Sequence, residues 1–144
     1  MKITSSQDPV VRNQDKTGRN GKIKISSFQD LEVWRLSHKL VLEIYKMSAS
    51  FPDSERYGIT SQMRRSVVSV PANIAEGFIR RTEKDKIHFY NIAQSSLHET
   101  KYYLILVKDL NFIASTTTLW SMAEEISKML HGLIGSIKLN YARN

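Results

Sequence analysis

Apolar residues recur every three to four positions through most of the chain, and no stretch alternates at the period of two that a half-buried strand requires. Four helices are predicted. The first runs from about Asp30 to Ser50, with Ser27 as N-cap and Asp30 as the capping-box acid. Its face is Leu31, Trp34, Val41 and Tyr45, widened by Val33, Leu40 and Ile44. Phe51-Pro52 ends it, because proline pushes its predecessor out of α geometry. The second helix starts between Asp53 and Ile59 and reaches about Arg81. Its seam is Ile59, Met63, Val67, Val70, Ile74 and Phe78, a heptad-like spacing that keeps its phase across Pro71. Pro71 lacks the N–H that would bond the Val67 carbonyl, so a kinked helix is expected rather than two short ones.

The third helix runs from about Glu83 to Phe112 behind a Thr82/Asp85 cap. Its inward stripe is Phe89, Ile92, Ser96, Glu99, Tyr103, Leu106 and Leu110. The fourth covers about Thr116 to Tyr141 with Leu119, Met122, Ile126, Met129, Leu133 and Ile137, broadened by Leu130 and Ile134. Connections are short. The pattern specifies an all-α, up-down-up-down antiparallel four-helix bundle over residues 28–144, with helix 2 kinked at Pro71. Residues 1–27 are polar and aperiodic, and read as a flexible basic N-terminal arm.

Two features of this pattern exceed what one bundle needs. The second helix bears another small and apolar stripe, Val68, Ala72, Ala75 and Ile79, expected to meet a second copy of the chain. Between the seams run Gln62, Ser66, Ser69, Asn73 and Arg80, while Gly77 marks close helix packing. On the third helix Glu99 falls within the inward stripe. A buried carboxylate is costly unless paired or protonated. In an antiparallel pair it lies level with Met63, so a buried polar link from Glu99 to Arg64 or Gln62 is expected.

Charge sharpens the picture. The chain carries 21 Lys and Arg against 14 Asp and Glu, a net charge of +7, of which residues 1–27 hold more than half. Such a balance favours anionic partners. Arg56, Arg64, Arg65, Arg80, Arg81, Lys84 and Lys86 gather around the second helix and the turn after it, as candidate nucleic-acid contacts. The bland account is a solvated face paired with Glu76, Glu83 and Asp85. Tyr57, Tyr90, Tyr102 and Tyr103 are candidates for stacking on bases, although aromatics at helical spacing are more often core.

Candidate catalysis is sparse. There is no cysteine, no H-E-x-x-H and no Glu with His three residues on; Asp85 and His88 have that spacing once. GRNGK at Gly18–Lys22 lacks the spacing, the Ser/Thr and the strand of a phosphate loop, and the mixed strand and helix context of a KH domain is missing. SVVSV lies in mid-helix, a poor place for a nucleophile elbow. No catalytic residue, metal or cofactor is expected. No run of about 18 apolar residues exists for a membrane span, and the first residues lack the apolar centre of a signal peptide, so a cytoplasmic protein is expected.

Three segments carry a specific likeness. FQDLEVWRLSHKLVLEIYKM from Phe28, FPDSERYGITSQMRRSVVSVPANIAEGFIRR from Phe51, and EEISKMLHGLI from Glu124 resemble the four-helix-bundle family of 23S ribosomal RNA intervening-sequence proteins. The S-V-P-A-N-I-A-E-G string after T-S-Q-x-R-R is the most specific part, and the likeness covers about Phe28 to Ile137. It implies a homopentameric ring without catalytic residues. That family is also similar to the accessory protein of diversity-generating retroelements, a basic pentameric barrel that engages nucleic acid and a reverse transcriptase. Gln94 stands near a position where the family usually has glycine, and the basic arm lies outside the match. The function expected is a non-enzymatic oligomer that binds nucleic acid, RNA before DNA, without strong sequence readout. The alternative is a scaffold that docks a partner enzyme and has no direct nucleic-acid role.

Overall fold

The computed structural model describes residues 24–143. The GRNGK string and all but the last residues of the N-terminal arm lie outside the described residues. Four helices account for most of the rest: α1 (Glu32–Ser48), α2 (Ile59–Ile79), α3 (Glu83–Asp109) and α4 (Thr117–Arg143), with no strand among the described residues. Each helix packs on two neighbours, α1 on α2 and α4, and α3 on α2 and α4, so the four form a bundle around one core.

The side-chain pairings fix direction. Along α2, Ser66 meets Thr100 and Ser69 meets Ser96, so α3 descends as α2 rises. Between α3 and α4, Gln94 bonds Ser127 while Lys101 reaches Glu124 and lies over Trp120. That pair is antiparallel as well. The hydrogen bond and positive charge of Lys101 hold the Glu124 carboxyl below the usual carboxylate range.

Local chemistry explains the helix ends. The Ser27/Asp30 capping box forms, but it closes a short 3-10 turn at Phe28–Asp30, and α1 starts only at Glu32. The Asp30 carboxylate accepts from the Ser26 and Ser27 N–H groups at 3.0 Å each, and Leu31 is extended. At the start of α3 the Thr82 hydroxyl accepts from the Asp85 N–H at 3.1 Å. The end of α3 is a Schellman motif. Asn111 takes φ 60°, its N–H bonds the Lys108 carbonyl, and the Phe112 N–H bonds that of Val107. α2 runs unbroken through Pro71, which is itself buried. Two residues on, the Asn73 amide donates to both the carbonyl and the hydroxyl of Ser69.

The α2 seam is buried at Met63, Val67, Val70 and Ile74, with Ile59 and Phe78 half-buried at its ends. On α3 the expected stripe is displaced by one residue, a rotation of about 100°. The buried face is Tyr90, Ala93, Leu97, Thr100, Leu104 and Val107. Phe89, Ile92, Ser96, Tyr103 and Leu106 flank it half-buried, and Leu110 is exposed. Smaller adjustments occur elsewhere. Tyr45 on α1 is exposed, and Val33, Ser37, Leu40, Val41, Ile44 and Ser48 face inward. On α4, Ala123, Leu130 and Ile134 share the centre with Leu119 and Ile126, leaving Met122, Met129, Leu133 and Ile137 at the flanks.

The expected Glu99 link is absent. Glu99 and Gln62 are both exposed, and Arg64 turns to α1. Thr100 occupies the buried position instead, with no exposed surface. Its hydroxyl lies 3.0 Å from that of Ser66, with the Ser96 carbonyl 2.9 Å from Thr100 and the Met63 carbonyl 2.9 Å from Ser66, so one hydroxyl donates to its own helix and accepts the proton of the other. Hydroxyls that bond within their own helix and across to the next satisfy buried polar atoms without a charge to desolvate. Thr100→Ala is therefore expected to cost about 1–2 kcal/mol, whereas Glu99→Ala stays within about 0.5 kcal/mol. Urea midpoints at constant slope check the pair.

Candidate nucleic-acid interface

The seven basic residues do not form one cluster. They split into two groups at opposite ends of α2, a helix of 21 residues and hence about 30 Å long.

Arg56, Arg64 and Arg65 sit at the α1–α2 corner. A 3-10 turn at Asp53–Glu55 leads through Arg56, Tyr57 and Gly58 into the first turn of α2. Arg64 is committed to α1: its Nε donates to the Ser48 hydroxyl at 2.9 Å and its Nη2 to the Tyr45 carbonyl at 3.3 Å. The guanidinium also lies 4.5 Å from the centre of the Tyr45 ring. The Tyr45 carbonyl also accepts from the Ser48 hydroxyl, and a cation on the last turn of α1 opposes the negative end of the helix dipole. Arg56 and Arg65 are exposed, with Arg56 5.9 Å from the Tyr57 ring. All three arginines line one open groove of about 360 Å³ with Tyr45, Tyr57, Thr60, Ser61 and Val68.

Arg80, Arg81, Lys84 and Lys86 sit at the α2–α3 turn. Arg80 pairs with Glu76 one turn back and lies 4.6 Å from the Phe89 ring. Lys86 reaches back to the end of α2, donating to the carbonyls of Phe78 at 2.7 Å and Gly77 at 3.2 Å. It lies 5.7 Å from the Phe78 ring, and burial pushes its ammonium below the usual lysine range. Arg81 and Lys84 are exposed, and none of the ion pairs among the described residues engages them, Arg56 or Arg65. Two of the seven thus cap helices, one holds a local ion pair, and four stand free for an anion.

Of the candidate stacking tyrosines, Tyr57 is 88 % exposed and Tyr102 is exposed, Tyr103 is half-buried and Tyr90 is buried. The stripe of Val68, Ala72, Ala75 and Ile79 lies on the outer side of α2, with Val68 40 % and Ile79 63 % exposed and Ala75 half-buried. His88 is exposed beside Phe89, and among the described residues no three His, Cys, Asp or Glu gather as a metal site requires. No described helix is long and apolar enough to cross a membrane. Sequence reasoning missed Tyr45 and Thr60 as groove residues. Tyr45 shares the spacing of the α1 core stripe, and only its position one turn before the helix end brings it under Arg64.

Comparisons with known proteins converge on one family. The model of the 23S rRNA-intervening sequence protein family matches residues 29–132. Among solved structures, the chain is similar to a crystal structure of a protein of unknown function from the S23 ribosomal protein family of Bacteroides thetaiotaomicron. The two share 28 % identity and a TM-score of 0.61 over 71 % of this chain and 97 % of that one. No curated protein is matched by the chain.

The division between capping and free cations has a direct consequence. Lys86→Met is expected to lower stability by about 1 kcal/mol, since two terminal carbonyls of α2 lose a charged donor that remains partly hydrated. Arg81→Ala should stay within about 0.5 kcal/mol. Thermal melts of the two variants side by side measure the difference.

Proposed function

The chain belongs to the 23S rRNA-intervening sequence protein family, and we propose that it is a non-enzymatic, self-associating bundle that binds nucleic acid, RNA in preference to DNA, through its basic surfaces. The observation that carries this reading is the set of exposed cations free of ion pairs at both ends of α2: Arg56 and Arg65 at one, Arg81 and Lys84 at the other. Side chains of this kind contact phosphates and set orientation without reading sequence. Copies of the chain arranged about an axis would repeat both groups, so that modest individual contacts add. A cytoplasmic setting, where RNA is abundant, fits the proposal.

Self-association is assigned to the outer stripe of α2, with a second copy of the same chain as its occupant. Val68, Ala72, Ala75 and Ile79 are small or apolar at helical spacing, which lets another backbone come close. A homopentamer is the stoichiometry that the family resemblance implies. Ala72 is exposed and lies away from the core of its own bundle, so a charge there threatens assembly rather than folding.

Two measurements test the reading. Affinity for a structured RNA should fall roughly 10- to 100-fold between about 50 and 200 mM salt, as expected for a handful of phosphate contacts. Gel shifts on a preparation of known mass measure it. Failure to bind at the lower salt, together with specific retention of a protein partner, would favour the scaffold alternative. For assembly, Ala72→Glu is expected to yield a monomer by light scattering with unchanged helical circular dichroism. A wild-type chain that is monomeric at micromolar concentration would rule out the stripe as an interface.

A further inference from the structure

The groove at the α1–α2 corner is more specific than a basic patch. Thr60 lines it and is 7 % exposed, and its hydroxyl is the one buried side-chain polar atom among the described residues with no hydrogen-bond partner. An unmet buried hydroxyl is a cost to the fold, and a ligand that brings an oxygen to it would offset that cost. Around it stand Arg56, Arg64 and Arg65. Arg64 spends two of its five N–H donors on α1 and lies over the Tyr45 ring, so the remaining donors are already positioned. Thr60 and Ser61 belong to the first turn of α2, whose early N–H groups have no partner within the helix. Glu55 occupies part of that helix start, its carboxylate accepting from the Ile59 N–H at 3.4 Å.

The aromatic content narrows the ligand. Tyr57 is a large apolar ring at the groove, 88 % exposed. Aromatic platforms beside cationic grooves take unstacked bases. The cavity volume of about 360 Å³ suits a single small ligand unit. We infer that this groove receives one unstacked nucleotide of a single-stranded RNA segment, its phosphate held by Arg56, Arg64, Arg65 and the Thr60 hydroxyl and its base laid on Tyr57. The inference rests on the nucleic-acid reading above and gives that reading a defined subsite. The free cations at the far end of α2, Arg81 and Lys84, then act only as general phosphate contacts.

The test uses the full chain and a short fluorescein-labelled uridine oligonucleotide, followed by anisotropy at several salt concentrations. Tyr57→Ala should weaken binding roughly 5- to 100-fold without changing the salt slope. Thr60→Val keeps the shape and removes a hydroxyl with no protein partner. It should weaken binding at least threefold while the melting temperature holds or rises. Arg81→Ala combined with Lys84→Ala should reduce the slope of log affinity against log salt by about 1.4, the value for two contacts to a single strand. If Tyr57→Ala and Thr60→Val bind like wild type while the Arg81/Lys84 variant weakens, the groove assignment fails and the nucleic-acid reading stands. A lower melting temperature in Thr60→Val would also overturn the assignment, because the hydroxyl would then already have a protein partner. No binding by the wild type at about 50 mM salt defeats both.

Discussion

The close approach of α2 and α3 is the constraint on which the rest of the structure depends. A Cβ placed on Gly77 would come within 2.5 Å of the Tyr90 ring. Tyr90 is buried and has little freedom to retreat, and that burial raises its phenol above the usual tyrosine range. Glycine is costly inside a helix by about 1 kcal/mol relative to alanine, so its presence at 77 reflects the contact and not the helix. Further along the same interface the side chains are hydroxyls: Ser66 and Ser69 on α2, Ser96 and Thr100 on α3. They are short enough to let the helices close and polar enough to bond across. Lys86 locks the Gly77 end by holding the last carbonyls of α2 from the first turns of α3.

That constraint also explains which parts of the fold could be read in the sequence. On α2 the inward positions are Met63, Val67, Val70 and Ile74, large and regularly spaced, and the stripe is plain in the chain itself. Gly77 and the Thr82 cap are legible for the same reason, since each residue type has one dominant local use. On α3 the signal misleads. Its buried face includes Ala93 and Thr100, small because α2 is close, while the larger Phe89, Ile92, Tyr103 and Leu106 stand one position aside. A reading that follows the bulkiest apolar residues rotates the helix and places Glu99 where Thr100 belongs. The end of α3 is a milder case. Asn111 is a common residue for the left-handed position after a helix, and reading it so would have stopped the helix short of Phe112.

The basic residues of the candidate site were legible in the sequence, but their geometry and the groove partners Tyr45 and Thr60 were not. Charge alone cannot separate a cation that caps a helix from one that faces solvent. The sequence places Arg64 beside Arg65 and Lys84 near Lys86, yet α geometry turns successive residues by about 100°. Arg64 therefore reaches the Tyr45 carbonyl while Arg65 stays exposed. Lys86 bonds Gly77 and Phe78 while Lys84 does not lie in that position. The groove depended on a contact between elements: Tyr45 from α1, Arg56 and Tyr57 from the connection, and Thr60, Arg64 and Arg65 from α2. Nothing in the spacing of these residues along the chain announces that they share a wall.

The partition of donors between fold and partner has a physical logic. A side chain that already caps a helix cannot give the same hydrogen bonds to a ligand without releasing a carbonyl, so its net contribution to binding is reduced by what the fold loses. Arg64 and Lys86 are held in this way, and they add fixed positive charge near the sites without being free to follow a flexible partner. Arg56, Arg65, Arg81 and Lys84 have no ion pair to break among the described residues, and their full interaction with an anion is available. At the α1–α2 corner both kinds occur in one groove with a buried hydroxyl and an exposed ring. At the α2–α3 turn the free cations instead lie beside an ion pair and a capped helix end. The same helix thus ends in two basic surfaces of different character. At one, α1 holds Arg64 beside two exposed arginines, and at the other Arg81 and Lys84 are exposed at the edge of the bundle.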